Sequence, residues 1–149
     1  MELVILMGIQ ATGKSTFFAE RFADTHIRLN LDMLRTRHRE RILFEACLEA
    51  KQPVVIDNTN PTREDRARYI GPARQHHFGV VGYYFQSQLQ EAMARNAARI
   101  GKARIPDAGL RAVYARLEPP ARTEGFDELS YVTLNAAPKR GFNVEEWKS

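Results

Sequence analysis

The sequence predicts an α/β fold: a doubly wound parallel sheet of about five strands with helices on both faces. Short apolar runs of strand length alternate along the chain with amphipathic runs of helix length. Alternation of this kind favours parallel strands joined by right-handed crossover helices. Because 149 residues are enough for one such core, we expect a single domain over residues 1–149.

Each predicted element rests on its apolar pattern. The strands are predicted at 2–7, 27–31, 53–57, 79–85 and 131–134. The helices are predicted at 14–24, 40–50, 60–76, 88–100 and 107–117. Asn60 and Pro61 predict the start of the third helix, as an N-cap followed by proline at the first helical position. The tail, residues 135–149, carries no comparable pattern, and docking on the sheet edge is its expected placement.

The composition is that of a soluble globular protein, with 44% hydrophobic and 27% charged residues. No apolar run reaches the roughly 20 residues that a membrane helix needs, so no membrane partner is expected. The single cysteine, Cys47, cannot form an internal disulfide, which favours a reducing, cytoplasmic location.

Positive charge is concentrated in one segment. The net charge of the whole chain is +4, yet residues 95–122 alone contain seven basic and two acidic residues. Such a local excess suits a polyanionic ligand. An arginine-rich helix face that only contacts solvent is the alternative interpretation.

Residues 8–16, Gly-Ile-Gln-Ala-Thr-Gly-Lys-Ser-Thr, match the phosphate-loop pattern G-x-x-x-x-G-K-[ST] between a predicted strand and a predicted helix. This motif makes the fold one of the P-loop NTPase type. We expect Lys14 to reach the β- and γ-phosphates and the Ser15 hydroxyl to bind Mg²⁺. The nucleotide-binding positions of the loop are predicted to be Gly8, Ala11, Thr12, Gly13, Lys14, Ser15 and Thr16.

Asp32 and Arg35 follow the second predicted strand. The carboxyl ends of strands face the ligand crevice in a doubly wound sheet, which would bring Asp32 near the γ-phosphate. A carboxylate there accepts the proton of an attacking hydroxyl, and Arg35, one helical turn on, binds an acceptor phosphate. An N-cap aspartate followed by a surface arginine is the equal alternative.

The third predicted strand ends in Asp57, the usual form of a Walker B segment whose carboxylate helps to hold Mg²⁺. Asn58, Thr59 and Asn60 then present short polar groups in the same crevice, and part of that cluster caps the next helix. The candidate substrate-binding residues here are Asp57, Thr59, Asn60 and Arg63, with Asp57 also assigned to the metal.

Arg95 and Arg99 lie four residues apart and therefore share a helix face in a predicted lid, about residues 95–122. Arginines on a lid neutralise charge that develops on a transferring phosphoryl group. A solvated amphipathic helix is the alternative.

These motifs, in this order, resemble the 5′-hydroxyl polynucleotide kinase family, the kinase module of polynucleotide kinase/phosphatase enzymes. That family carries a P-loop, an Asp-x-x-Arg, a strand ending in a D-x-T-N-like segment, and a lid with R-N-x-x-R before G-x-K-x-[VI]-P. The corresponding segments here are 8–16, 32–35, 57–60, 95–99 and 101–106. The similarity spans roughly residues 3 to 134.

The resemblance implies transfer of the γ-phosphate of ATP, with Mg²⁺, to the 5′-hydroxyl of DNA or RNA ends. It implies that Asp32 is the general base and that Arg35 binds the phosphate beside the acceptor hydroxyl. It further implies that Arg99 contacts the ATP phosphates and that Arg95 serves the lid. A phosphatase or ligase is the partner expected in the same pathway.

Two other functions remain open at this point. A P-loop kinase of a small molecule, such as a nucleoside, a sugar or an antibiotic-like hydroxyl compound, shares most of these features. A nucleotide-dependent ATPase or switch would hydrolyse ATP without phosphorylating an acceptor.

Overall fold

The computed structural model of the protein describes residues 1–101, 104–135 and 141–148. The predicted alternation of strands and helices is confirmed. The strands are β1 (Glu2–Met7), β2 (Ile27–Leu29), β3 (Val54–Asp57), β4 (Gly79–Phe85), β5 (Glu128–Leu134) and β6 (Phe142–Glu146). The helices are α1 (Lys14–Arg21), α2 (Leu31–Leu34), α3 (Arg37–Glu49), α4 (Arg63–Gln75), α5 (Leu89–Ala97) and α6 (Asp107–Arg116).

The sheet has the strand order β2-β3-β1-β4-β5-β6. Its first five strands run parallel, and β6 pairs with β5 in the antiparallel direction. The chain moves first to one side of β1 and then to the other. The ligand crevice of a doubly wound sheet lies where the order reverses in this way, which places it at the carboxyl end of β1.

The core covers both faces of the sheet because side chains along β1 alternate. Leu3, Ile5 and Met7 pack in one cluster with apolar residues of α3 and α4. Val4 and Leu6 pack in a second cluster with aromatic rings of α1. All five side chains are fully buried, as expected for a strand with helices on both sides. None of the helices among the described residues is long and apolar enough to span a bilayer.

The start of α4 differs from the prediction. Thr62, and not Asn60, is the N-cap, and its hydroxyl accepts a hydrogen bond from the Asp65 amide. Asn60 lies in the left-handed region at φ 45°, and its side chain donates to the carbonyl of Leu6 at 2.8 Å. The asparagine is therefore used to join the loop after β3 to β1, which the local sequence does not reveal.

The second predicted strand, 27–31, ends two residues early. Asn30 caps the four-residue helix α2, with its Oδ1 accepting from the Met33 amide at 3.1 Å. The aspartate within this helix, Asp32, is therefore not an N-cap. Helix α2 ends at Leu34, so Arg35 lies just beyond it, at φ 76°, and not on a continuing helical face.

The remaining boundaries shift by a few residues. Helix α1 ends before the predicted 24, α3 begins at the Thr36 cap before the predicted 40, and α5 ends before the predicted 100. Strand β5 begins before the predicted 131, because its first residues pair with β4.

The tail forms the edge strand of the sheet, β6, a sixth strand where the sequence predicts about five. Trp147 packs edge-on against Tyr84 and at a tilt against Tyr131, each with ring centroids 5.1 Å apart, and donates to the carbonyl of Pro120 at 2.9 Å. Phe142 packs on Phe17 of α1 at 5.1 Å. Residues 136–140 and 149 of the predicted tail lie outside the described residues.

A buried ion pair links α4 to the 3₁₀ turn Arg122–Glu124. Arg66 is fully buried and binds Glu124 through two hydrogen bonds, at 2.8 and 3.0 Å. The third nitrogen of its guanidinium group donates to the Asn60 carbonyl at 3.0 Å. Removal of either partner leaves an unpaired charge buried in the interior.

We expect Arg66→Ala to lower the free energy of unfolding by about 3–5 kcal/mol, as for other broken buried pairs. Urea denaturation measures the change. The matched control is Arg63→Ala on the same helix, because Arg63 is exposed and its nitrogen lies 3.9 Å from Glu124. An exposed pair of that kind contributes about 1 kcal/mol or less. Equal effects of the two substitutions would contradict the assignment.

Candidate active site

A cavity of about 680 Å³ opens at the carboxyl end of the sheet, where the topology places the crevice. The phosphate loop forms one wall, and the ends of β2 and β3, helix α2 and the lid form the others. From the loop, the predicted residues Ala11, Gly13, Lys14, Ser15 and Thr16 line it. From elsewhere, the predicted residues Asp32, Asp57, Thr59 and Arg99 line it.

The phosphate loop curls around the Lys14 side chain. The ammonium donates to the carbonyls of Gly8 and Ile9 at 2.9 and 2.7 Å. Gly13 takes φ 97° at the start of α1, a conformation that favours glycine. The N-terminus of α1 lies at the cavity, and a helix N-terminus is a suitable site for an anion.

The surroundings of Lys14 lower the pKa of its ammonium group. Burial lowers the pKa of its ammonium to about 8; the Asp57 carboxylate opposes this shift, the Arg99 guanidinium adds to it, and Asp32 opposes it. Charges from β3, the lid and α2 thus act on one ammonium group. The loop, the strand end, the lid and α2 converge on one point.

Asp57 lies at the end of β3 beside the phosphate loop. Its Oδ2 accepts from the Ser15 hydroxyl at 3.0 Å and from Arg28 Nε at 2.7 Å. Arg28 also donates to the Ser15 hydroxyl at 3.0 Å. A hydroxyl and a carboxylate are the oxygen ligands that Mg²⁺ prefers, so these two residues fit that ion. The cation that faces both oxygens in the structure is the Arg28 guanidinium.

Asp32 lies on α2 with its exposed side chain lining the cavity. Two asparagines hold α2 against the end of β3. Asn30 Nδ2 donates to the Asp57 carbonyl at 2.5 Å, and Asn58 Oδ1 accepts from the Leu31 amide at 2.9 Å. The carboxylate is therefore carried on an anchored turn.

The lid helices α5 and α6 are fixed to the phosphate loop. Arg95 Nε donates to the carbonyl of Ala11 at 2.5 Å, so this arginine joins α5 to the loop. Ile9 and Ala11 pack with Ala92 of α5 and Leu110 of α6. Only Arg99 of the two predicted lid arginines lines the cavity.

Asn96, between the two arginines, is fully buried and hydrogen-bonds both the amide and the carbonyl of Ile105. It closes the loop between α5 and α6. Lys102 and Ala103 of the predicted lid motif lie outside the described residues.

The structure does not bring every predicted residue to the cavity. Arg35 is exposed beside α2, and Arg63 lies on the outer surface of α4 near Glu124. Asn60 is buried against β1. Within the loop, Thr12 turns back to bind the Ile9 carbonyl at 2.8 Å, and Gly8 supports the loop from β1 by donating to the Thr59 carbonyl.

Sequence reasoning missed Arg28 and Asn30 as cavity residues. It placed Asn58 among the polar groups of the crevice, but it missed the bond from Asn58 to the Leu31 amide that anchors α2. Arg28 lies within a short strand, where a single arginine is unremarkable in sequence. The two asparagines each follow an apolar run at a strand end, and that signal is present in the sequence. Their partners are residues 27 positions away, which no local pattern identifies.

The low pKa of Lys14 predicts a pH dependence of nucleotide binding. Phosphate favours the charged ammonium, which is already present below pH 8 in the free protein. Above that pH, binding requires uptake of a proton, and we expect affinity to fall up to about tenfold per pH unit. Calorimetry between about pH 7.5 and 9.5, in two buffers of different ionisation enthalpy, measures both the affinity and the proton uptake.

Lys14→Arg is the control for this prediction, because a guanidinium stays charged throughout the range and its affinity profile is expected to be flat. A flat profile for the unmodified protein would contradict the prediction.

Two curated relatives resemble the chain in sequence. It is 30% identical over 138 residues, 88% of the chain, to the bifunctional polynucleotide phosphatase/kinase of Schizosaccharomyces pombe. It is 26% identical over 160 residues, 95% of the chain, to the L-seryl-tRNA(Sec) kinase of Methanococcus maripaludis. The aligned region spans 33% of the first relative and 62% of the second.

Solved structures show the same fold. Kti12 of Chaetomium thermophilum in complex with ADP-AlF3 superposes with a TM-score of 0.66 at 15% identity, covering 88% of each chain. A gluconokinase from Sinorhizobium meliloti 1021 superposes with a TM-score of 0.62 at 20% identity, covering 89% of this chain and 82% of its own. Residues 3–120 match the model of an AAA domain family. The chain therefore belongs to that family, AAA_33, and has the fold of the P-loop kinases.

Proposed function

We propose that this protein transfers the γ-phosphate of ATP to the 5′-hydroxyl of a DNA or RNA end. The observation that carries the proposal is the position of Asp32. Its carboxylate lines the same cavity as Lys14 and is close enough to raise the pKa of that ammonium. Because Asn30 caps α2, Asp32 has no capping role to explain its presence.

The residues divide the reaction between them. The amides at the start of α1 and the Lys14 ammonium bind the β- and γ-phosphates. Asp32 accepts the proton of the acceptor hydroxyl as that oxygen forms its bond to the γ-phosphorus. The bond from the γ-phosphorus to the β–γ bridging oxygen breaks, ADP leaves, and Arg99 neutralises charge on the phosphoryl oxygens.

Ser15 and Asp57 would hold Mg²⁺, which neutralises phosphate charge when bound. The Arg28 side chain, which faces both oxygens, is 29% exposed. It can therefore turn towards solvent to admit the ion, and Asp57 then keeps a cationic partner in both states.

A polyanionic acceptor is supported by the surface beside α2. Four arginines occur within seven residues at the start of α3, and their side chains are exposed: Arg35, Arg37, Arg39 and Arg41. The acidic residue among them, Glu40, is buried. The names of the two relatives mention a polynucleotide and a seryl-tRNA, and both are nucleic acids. This supports an acceptor hydroxyl carried on a nucleic acid.

The test is transfer of label from γ-labelled ATP to a short oligonucleotide with a 5′-hydroxyl, in DNA and RNA forms. The matched control is the same oligonucleotide with a 5′-phosphate, which lacks the acceptor group. Seryl-tRNA, nucleosides and gluconate form the other arms. We expect label on the 5′-hydroxyl oligonucleotide only.

Label on a nucleoside or sugar alone would replace the proposal with a small-molecule kinase. Release of labelled phosphate with every acceptor unlabelled would replace it with an ATPase or switch. For an active 5′-kinase we further propose a cytoplasmic location and a pathway that also contains a phosphatase or ligase, since these enzymes act on the same ends.

A further inference from the structure

Glu40 is a buried carboxylate in the middle of an arginine-rich surface. It is 1% exposed, yet it makes three hydrogen bonds through both oxygens. Oε1 accepts from the Tyr69 hydroxyl at 2.7 Å and from Arg37 at 3.0 Å. Oε2 accepts from Asn58 Nδ2 at 2.8 Å. A buried carboxylate needs such partners, so the group is satisfied and its geometry is fixed.

Asn58 connects Glu40 to helix α2 at the active site. Its amide nitrogen donates to Glu40, which leaves Oδ1 pointing the other way, where it accepts from the Leu31 amide at 2.9 Å. Leu31 is the first residue of α2 and precedes Asp32 directly. The Asn58 amide therefore has one orientation, and that orientation is set by its hydrogen bond to Glu40.

We propose that Glu40 is a positioning residue for phosphoryl transfer: through Asn58 it fixes helix α2 and thereby the Asp32 carboxylate. This inference rests on the proposed role of Asp32 as the base. Displacement of a catalytic group by about 1 Å can cost up to a hundredfold in rate, so a hydrogen bond that holds α2 has a measurable effect on turnover.

The donor and acceptor pattern gives a sharp test. In Glu40→Gln the new amide has one acceptor and one donor face. Whichever way it turns, its NH₂ group meets either the NH₂ group of Asn58 or the guanidinium of Arg37. If the Asn58 amide also flips, its own NH₂ group faces the N–H donor of Leu31. The arrangement that keeps the link to Asn58 sets the new NH₂ group against Arg37. The other arrangements set two donors face to face at Asn58 or at Leu31, and α2 then loses one of its two asparagine anchors.

The double substitution Glu40→Gln with Asn58→Asp restores the pattern without changing net charge. A carboxylate at position 58 accepts both from the new amide at position 40 and from the Leu31 amide. The matched control is Tyr69→Phe, which removes another hydrogen bond of Glu40 and a long 3.4 Å contact of Asn58, and keeps the 2.8 Å hydrogen bond between Asn58 and Glu40.

The experiment measures kcat at saturating ATP, the Kd of the nucleotide, and amide hydrogen exchange at Leu31. For Glu40→Gln we expect kcat to fall about tenfold, the Kd to stay within about twofold, and exchange at Leu31 to accelerate. The double variant is expected to recover most of both losses. Tyr69→Phe is expected to lower the melting temperature while kcat stays within about twofold.

A Glu40→Gln variant with unchanged kcat and unchanged exchange at Leu31 would overturn the inference, as would a double variant no better than the single one. An Asp32→Asn variant with full turnover is a different failure. It would remove the proposed base, and with it the catalytic meaning of the link, even if exchange at Leu31 still responded to Glu40.

Discussion

Asp32→Asn is expected to lower turnover by about 10²- to 10⁴-fold, the range of a lost general base. The substitution preserves the shape of the side chain and the cap of α2, because Asn30 supplies that cap. We expect nucleotide affinity to change little, since Lys14 and the amides of α1 bind the phosphates. Single-turnover rates with labelled ATP, together with nucleotide Kd values, separate the two effects.

Asp24→Asn is the matched control, because Asp24 is an exposed aspartate after α1 and does not line the cavity. Its turnover is expected to match that of the unmodified protein. If the two variants have the same turnover, Asp32 is not the base.

Arg99→Ala is expected to lower turnover by about 10³-fold or more, as for other arginines that stabilise a transferring phosphoryl group. Arg99 is the lid arginine that lines the cavity, and its charge lowers the pKa of Lys14. The same variant is therefore expected to raise the pKa of Lys14 and to move the onset of the alkaline loss of nucleotide affinity to higher pH.

Arg111→Ala is the control, because Arg111 is an exposed arginine of α6 outside the cavity. Arg99→Lys tests the geometry: a single ammonium keeps the charge without the guanidinium fork, so an intermediate rate is expected. Equal rates for Arg99→Ala and Arg111→Ala would contradict the assignment.

The sequence was sufficient for the parts of the site that depend on local pattern. The phosphate loop lies between a strand and a helix, and Asp57 lies at a strand end, so the topology alone brings them together. The same reasoning predicts the position of Asp32, which follows β2, the neighbour of β3. These residues do share a cavity.

The parts that sequence reasoning missed depend on partners far away in the chain. Glu40 lies between arginines and has the pattern of an exposed residue, yet contacts with Tyr69 and Asn58 bury it. Asn60 has the pattern of a helix cap, yet a carbonyl of β1 takes its side chain. A single sequence does not show which of several equivalent polar residues meets a distant partner.

The contact of the edge strand with Gly13 has a consequence for how the protein can be divided. A Cβ built on Gly13 would lie 2.9 Å from the ring of Phe142, so this ring forms one side of the turn that starts α1. A fragment that stops after β5 would keep every nucleotide-binding motif and lose that support. The packing that supports the phosphate-loop turn therefore reaches β6, well past residue 120, where the family match ends.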